Sequence, residues 1–322
     1  MRSVTQVIIS VVLIGASIGC RTGESVTIVA SDASPPPSWL RSLQFPEGQV
    51  CTIGIAGPGT THDGPKTLAQ SRGVDTLAMS IETLVWEGII DQERNGNTSV
   101  QAQSIVGTSA ALIERLREEA EVVWWFDTHG QGFVGLPNYT YARVCTDADR
   151  KTLSMFERSE SSGLYSDLRN GPAWLSLNHT TKKGRLCALG QSRKTHDPSD
   201  AIEQAGEDVR VQLSESMQAL VSSLSIATEG VGAFQSESVT VGLNLGGVEG
   251  AVVNHHWFDR DGRGPLNEAG AAYAWGCVYP EIEFERRRQA AISDGDDIQA
   301  DAFARARESA RAMFSELEAE ER

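Results

Sequence analysis

Apolar and polar residues alternate in short runs along most of this chain, and the runs come in two matching sets. Val50 to Ala56 alternates apolar and small residues and predicts a strand, matched by Leu186 to Gly190. Asp63-Gly64-Pro65 and Asp197-Pro198 mark helix starts, with Asp as N-cap and Pro in the first turn. At helical spacing, Leu77, Ile81, Leu84 and Val85 share one face, as do Leu213, Met217, Leu220 and Val221. Ile105 to Leu116 predicts a second helix in the first set, with Leu112, Ile113 and Leu116 inward. Its counterpart, Val239 to Val248, is a weaker helix because glycine and β-branched residues fill it. Val122–Phe126 and Ala251–Phe258 predict strands whose hairpin partners are Tyr139–Cys145 and Ala271–Val278. Each set therefore predicts an α+β unit, a small and mostly antiparallel sheet with helices on one face.

The two sets are copies. Pro37-Ser-Trp39-Leu40 returns as Pro172-Ala-Trp174-Leu175, Cys51-Thr-Ile-Gly54 as Cys187-Ala-Leu-Gly190, and Thr61-His62-Asp63 as Thr195-His196-Asp197. Trp125-Phe126-Asp127 returns as Trp257-Phe258-Asp259, and Tyr141-Ala142 with Cys145 as Tyr273-Ala274 with Cys277. Partners stay 132 to 136 residues apart, so the landmarks keep both order and spacing. The expected organisation is a signal at 1–20, a tether at 21–36, module one at 37–150, a linker at 151–171, module two at 172–280 and a tail at 281–322. Ser159 to Gly163 is the loosest part of the linker. In the tail, Phe303, Ala306, Ala310, Met313, Phe314 and Leu317 form an apolar stripe on a charged helix, expected to pack back on module two. Arg286-Arg287-Arg288 precedes it as a short basic cluster.

Composition adds exclusions. Of 322 residues, 40% are hydrophobic and 22% charged, ordinary for a globular protein with two cores. A net charge of −15 and a pI near 4.9 argue against nucleic acid and against docking on anionic lipid.

Arg2 followed by the aliphatic run Val7 to Ile14, then Gly15, Ala16, Ser17 and Gly19 before Cys20, reads as a secretion signal. Its ending resembles a bacterial lipobox with Cys20 as the lipidated residue, departing from the usual pattern at Ser17. Arg21 in place of an aspartate favours the outer membrane. Export explains the remaining cysteines: each repeat carries one pair at equivalent ends, so Cys51 is expected to bridge Cys145, and Cys187 to bridge Cys277.

Candidate chemistry is sparse. His129-Gly130 after a strand, with Cys145 downstream, is similar to the dyad of caspase-like peptidases and defines an alternative reading as a secreted cysteine hydrolase. Against it stand the turn Asp261-Gly262-Arg263, which has no histidine, and the expected disulfide at Cys145. His62-Asp63, His196-Asp197 and His255-His256 suggest metal, but Asp63 and Asp197 have capping work, and neighbours on a strand point to opposite faces. Trp39, Trp86, Trp124, Trp125, Trp174, Trp257 and Trp275 could stack on cell-wall glycan, a second alternative; recurrence between copies favours core positions. Gly57-Pro58-Gly59 and Gly246-Gly247 lack the Lys-Ser/Thr or Rossmann context of a phosphate loop and read as turns. No catalytic residue, metal or cofactor is assigned.

The order Pro-x-Trp-Leu, Gly-containing strand, helices, Trp-x-Asp turn and Tyr-Ala strand resembles the LPP-twenty family of bacterial envelope lipoproteins, over 37–146 and more loosely 172–279. That resemblance implies an exported, lipid-anchored α+β module, largely without assigned enzymatic activity. A related module in a flagellar outer-ring assembly protein implies envelope assembly roles. This chain departs from the family by its two modules, each with a cysteine pair, and by its acidic helical tail, so no flagellar role carries over. The reading is a non-enzymatic lipoprotein of the cell envelope, membrane-bound through its N-terminal anchor, facing the periplasm or the cell surface. Its expected partners are envelope proteins, met by strand addition at open sheet edges.

Overall fold

A computed structural model describes residues 28–29, 35–40, 46–59, 64–94, 97–149, 152–153, 163–165, 171–176, 180–182, 184–228, 248–249 and 251–320. Cys20 and the whole signal, Thr61-His62-Asp63, most of the linker and nearly all of the weaker helix at 239–248 lie outside them. Of that last segment, Val248–Glu249 is described, as a strand.

The architecture is α+β, two tandem sheets each carrying helices on one face, followed by a helical tail. In module one, β2 (Gln49–Ala56), β5 (Glu121–Asp127) and β6 (Tyr139–Asp147) form an antiparallel core in the order β5-β6-β2. In module two, β9 (Arg185–Ser192), β11 (Val252–Asp259) and β12 (Ala271–Val278) repeat it as β11-β12-β9. Each core gains a short parallel strand from the segment before its module. Ile28–Val29 (β1) pairs with β5, and Gly163–Tyr165 (β7) pairs with β11 at the equivalent register. Tether and linker thus carry structure that their composition hides. Thr180–Lys182 (β8) extends the second sheet beyond β9.

Strand alternation decides the faces. Val50, Ala56, Val122, Ala142 and Val144 meet α1 (Gly64–Ile81) and α2 (Ala110–Glu119) in one apolar cluster. On the second sheet, Ala188, Val253, Ala272, Ala274 and Val278 meet α3 (Pro198–Thr228). The opposite faces carry the cysteines and most of the aromatics. Helix and sheet touch closely at equivalent glycines of the two modules. A Cβ at Gly54 would collide with the backbone of Ala69 and Gly73, and one at Gly190 with the backbone of Ala205 and Val209.

Three elements differ from expectation. Helix α1 stops at Ile81, and Leu84 and Val85 begin β3 (Glu82–Arg94), which pairs along its length with β4 (Asn97–Gly107). Both residues fit a helical stripe and an alternating strand equally well. Arg94 pairs with Asn97, and the sequence between them is Asn-Gly, the dipeptide that tight hairpins favour. Ile105 accordingly belongs to β4, and the helix expected from there begins at Ala110, burying Leu112 and Leu116 as expected. Val248–Glu249 (β10) borders β3 on its other side.

The tail is two helices, α4 (Pro280–Ser293) and α5 (Asp297–Glu320). Phe284, Phe303, Ala306, Ala310 and Phe314 join the cluster that holds α3 and the second sheet, so the tail packs on module two. The basic cluster is consumed within it. Arg286 and Arg287 hold the buried Glu283 at 3.0 and 2.7 Å, and Arg288 holds Glu285 at 3.1 Å. Arg307 and Arg311 of α5 reach Glu285 and Glu281. No described helix is long and apolar enough to cross a membrane.

Candidate functional site

The cysteines pair as the repeat requires. Cys51 and Cys145 are direct cross-strand partners on β2 and β6 and form a disulfide; Cys187 and Cys277 do the same on β9 and β12. All four are buried. The His129–Cys145 dyad does not form. Cys145 gives its sulfur to Cys51, and the exposed His129 lies beyond the far end of β5, about 20 Å along the strands.

His129 belongs instead to a turn that both modules share atom for atom. The buried Asp127 carboxylate accepts the backbone N–H groups of His129, Gln131 and Gly132 at 3.3, 2.9 and 2.6 Å, and Tyr141 Oη accepts that of Val134 at 3.0 Å. Asp259 accepts those of Asp261, Arg263 and Gly264 at 3.3, 3.0 and 2.6 Å, and Tyr273 Oη that of Leu266 at 2.8 Å. Three backbone positions with positive φ recur too, filled by Gly130, Gly135 and Asn138 in one copy and by Gly262, Asn267 and Gly270 in the other. Glycine and asparagine exchange places because both tolerate the left-handed region. Burial raises the phenol pKa of Tyr141 and Tyr273, keeping each a neutral partner for its turn.

The first turn also meets module two. Arg260 donates to the carbonyls of Gly132 and Phe133 at 3.2 and 3.0 Å, and the Phe133 and Phe258 rings lie 6.5 Å apart. Nearby, Arg72 of α1 reaches Ser199 and Asp200 of α3 and pairs with Glu203 at 3.3 Å. Tyr139 donates to Asp197 at 3.2 Å. Burial raises the pKa of Glu203 against the pull of Arg72, and burial likewise raises Asp75 and Glu207.

Each core sheet guards its outer strand. Arg72 donates to the outward carbonyl of Ile55 on β2 at 3.0 Å. On β9, Gln212 donates to Leu189 O at 3.0 Å, and Asp208, at the position equivalent to Arg72, accepts from Gln191 N at 2.9 Å. Strand addition at these points would have to displace a charged or amide side chain.

The other candidates separate. Asp197 caps α3 through Ser199 N at 3.0 Å, with His196 exposed beside it. His255 stacks against Trp174, with ring centroids 6.3 Å apart, on the disulfide face, while His256 occupies the helix face. Among the described residues no three His, Cys, Asp or Glu side chains converge as a metal site would need. Trp39, Trp125, Trp257 and Trp275 are buried and Trp124 and Trp174 half-buried; Trp86 lies on β3. A Cβ at Gly57 would stand 2.6 Å from the Asp197 carboxylate, so this glycine serves a close approach between modules. Sequence reasoning missed Arg72 and Arg260, whose partners lie in the other module, and Arg210, which is buried on α3. Comparison of the chain with protein-family models, with curated proteins and with solved structures yields no match.

Proposed function

We propose that this protein is a non-enzymatic lipoprotein of the cell envelope, anchored through Cys20 in the outer membrane and binding other envelope proteins through its paired modules. The supporting observation is the pair of buried cross-strand disulfides, which belong to an oxidising compartment and leave Cys20 as the one unassigned cysteine. The resemblance to LPP-twenty lipoproteins points the same way. A cysteine-hydrolase reading lacks its thiolate, and a glycan-binding reading lacks exposed indoles among the described side chains. For strand addition the edge on offer is β4, whose one strand neighbour among the described residues is β3. Its eleven residues, Asn97 to Gly107, include no charge and no proline. The test is fractionation of cells expressing the full chain and Cys20→Ser, with labelled palmitate and a non-reducing peptide map. Palmitate in the wild type alone, with both bridges intact, is expected. Equal fractionation of the two proteins, or free thiols at Cys51 and Cys145, would overturn the assignment.

A further inference from the structure

The first sheet captures the chain soon after Cys20, and the direction of that capture decides from which end of the molecule an anchor would leave. Ile28 pairs with Val123, and Gly163 pairs with His255, 132 positions later on the equivalent strand. Ser31-Asp32 and Ser166-Asp167 follow these two short strands and keep the offset of 135 that relates Ile28 to Gly163. β1 is therefore part of the repeated unit, and the tether shortens to the residues between Cys20 and Ile28. Because β1 runs parallel to β5, the chain ahead of Ile28 leaves toward Glu121.

The two modules have their ends in common. Arg260 of the second turn donates to Gly132 and Phe133 of the first, so both turns lie together at one end. At the other end Val252, which starts β11, joins the module-one cluster that holds Val50 and Val122. Val248–Glu249 pairs there with Thr83 and Glu82, just past the end of α1. Eight residue steps from Cys20 reach at most ~26–29 Å, and a relaxed chain of that length spans about 16 Å. From Val123 the strand runs about 13 Å to Asp127, and the turn projects past that. Lowering the turns onto lipid would stretch the tether past its relaxed span and make it double back, since it leaves the opposite way. Glu118, Glu119, Glu121 and Asp147 are exposed at the Glu121 end and oppose adhesion to an anionic surface, so the tether alone orients the molecule.

We propose that the bilayer lies at the Glu121 end of both sheets, and that the turns at 128–138 and 260–270 form the face turned away from it. The proposal rests on the Cys20 anchor. A donor dye is placed singly at Glu121, or at the exposed turn residues Gln131 and Ala269, of the lipidated, oxidised full chain. The chain is bound to phosphatidylcholine vesicles whose headgroups carry the acceptor. Expected is the strongest energy transfer from Glu121. Inserting about twenty Gly-Ser residues after Arg21 lengthens the relaxed reach to about 30 Å and is expected to level the three sites. Equal transfer from all three, stronger transfer from either turn, or an order that survives the insertion would overturn the proposal while leaving the anchor in place. Failure of the wild type to float with the vesicles, or equal flotation of Cys20→Ser, would instead remove the anchor and the proposal with it.

Discussion

Asp127 holds three backbone N–H groups with two oxygens while 1% exposed, and Asp127→Asn tests what that arrangement is worth. Asparagine matches the shape but has one acceptor oxygen. If that oxygen takes the place facing His129 and Gln131, the new NH2 group faces the N–H of Gly132, where the aspartate bond is 2.6 Å. If it flips, two bonds are lost instead. The better alternative removes one charge-assisted hydrogen bond, about 1.5–3 kcal/mol, and leaves a buried donor unsatisfied, about 1–3 kcal/mol. A destabilisation of about 3 kcal/mol is expected, read by urea unfolding of the oxidised protein with tryptophan fluorescence. The second module supplies the replicate, because the Asp259 contacts repeat those of Asp127 to within 0.1 Å. Asp259→Asn is therefore expected to match to within about 1 kcal/mol. A loss below about 0.5 kcal/mol in both variants would refute the reasoning, because surface changes alone produce shifts of that size.

Other outcomes follow from the same geometry. Replacing Cys51 and Cys145 with serine reopens a loop of 94 residues' separation and is expected to lose about 4–5 kcal/mol in chemical denaturation; unchanged stability would contradict it. Gly190→Ala drives a Cβ into the α3 backbone and is expected to cost about 3 kcal/mol, while Gly184→Ala, whose Cβ has open space but whose φ is +67°, should cost less. Glu203 and Glu207 have folded pKa values raised by burial, so their charged forms disfavour the fold and stability from them grows as pH falls from neutral through those raised values. Glu203→Gln and Glu207→Gln should each reduce the gain in Tm between pH 7 and about pH 5, and an undiminished gain would count against the assignment.

Much of the core was legible because its signals are local. Val50 to Ala56 and Tyr139 to Cys145 alternate as strands must, and the repeat reduced the cysteine pairings to one sensible set. His255 and His256 fell on opposite faces by strand geometry alone. The β3–β4 hairpin escaped notice because Leu84 and Val85 satisfy the helical and the strand period together, although Asn95-Gly96 was the available turn signal. Arg72 and Arg260 take partners more than 100 residues away, which no local pattern records. Arg210 was recoverable by aligning the copies position by position, since Val74 and Trp124 give way to arginine and histidine together.

The cross-strand disulfides also decide how the chain carries tension. A pull between its two ends enters module one at Cys51, crosses the sulfur bridge to Cys145, and repeats the crossing from Cys187 to Cys277. The intervening stretches, with sequence separations of 94 and 90, bear no load while the bridges hold. At ~3.3–3.6 Å per extended residue, each bridge withholds about 300 Å of contour length. Reduction would release that length, so the redox state of four sulfurs determines how far this protein can stretch before it breaks.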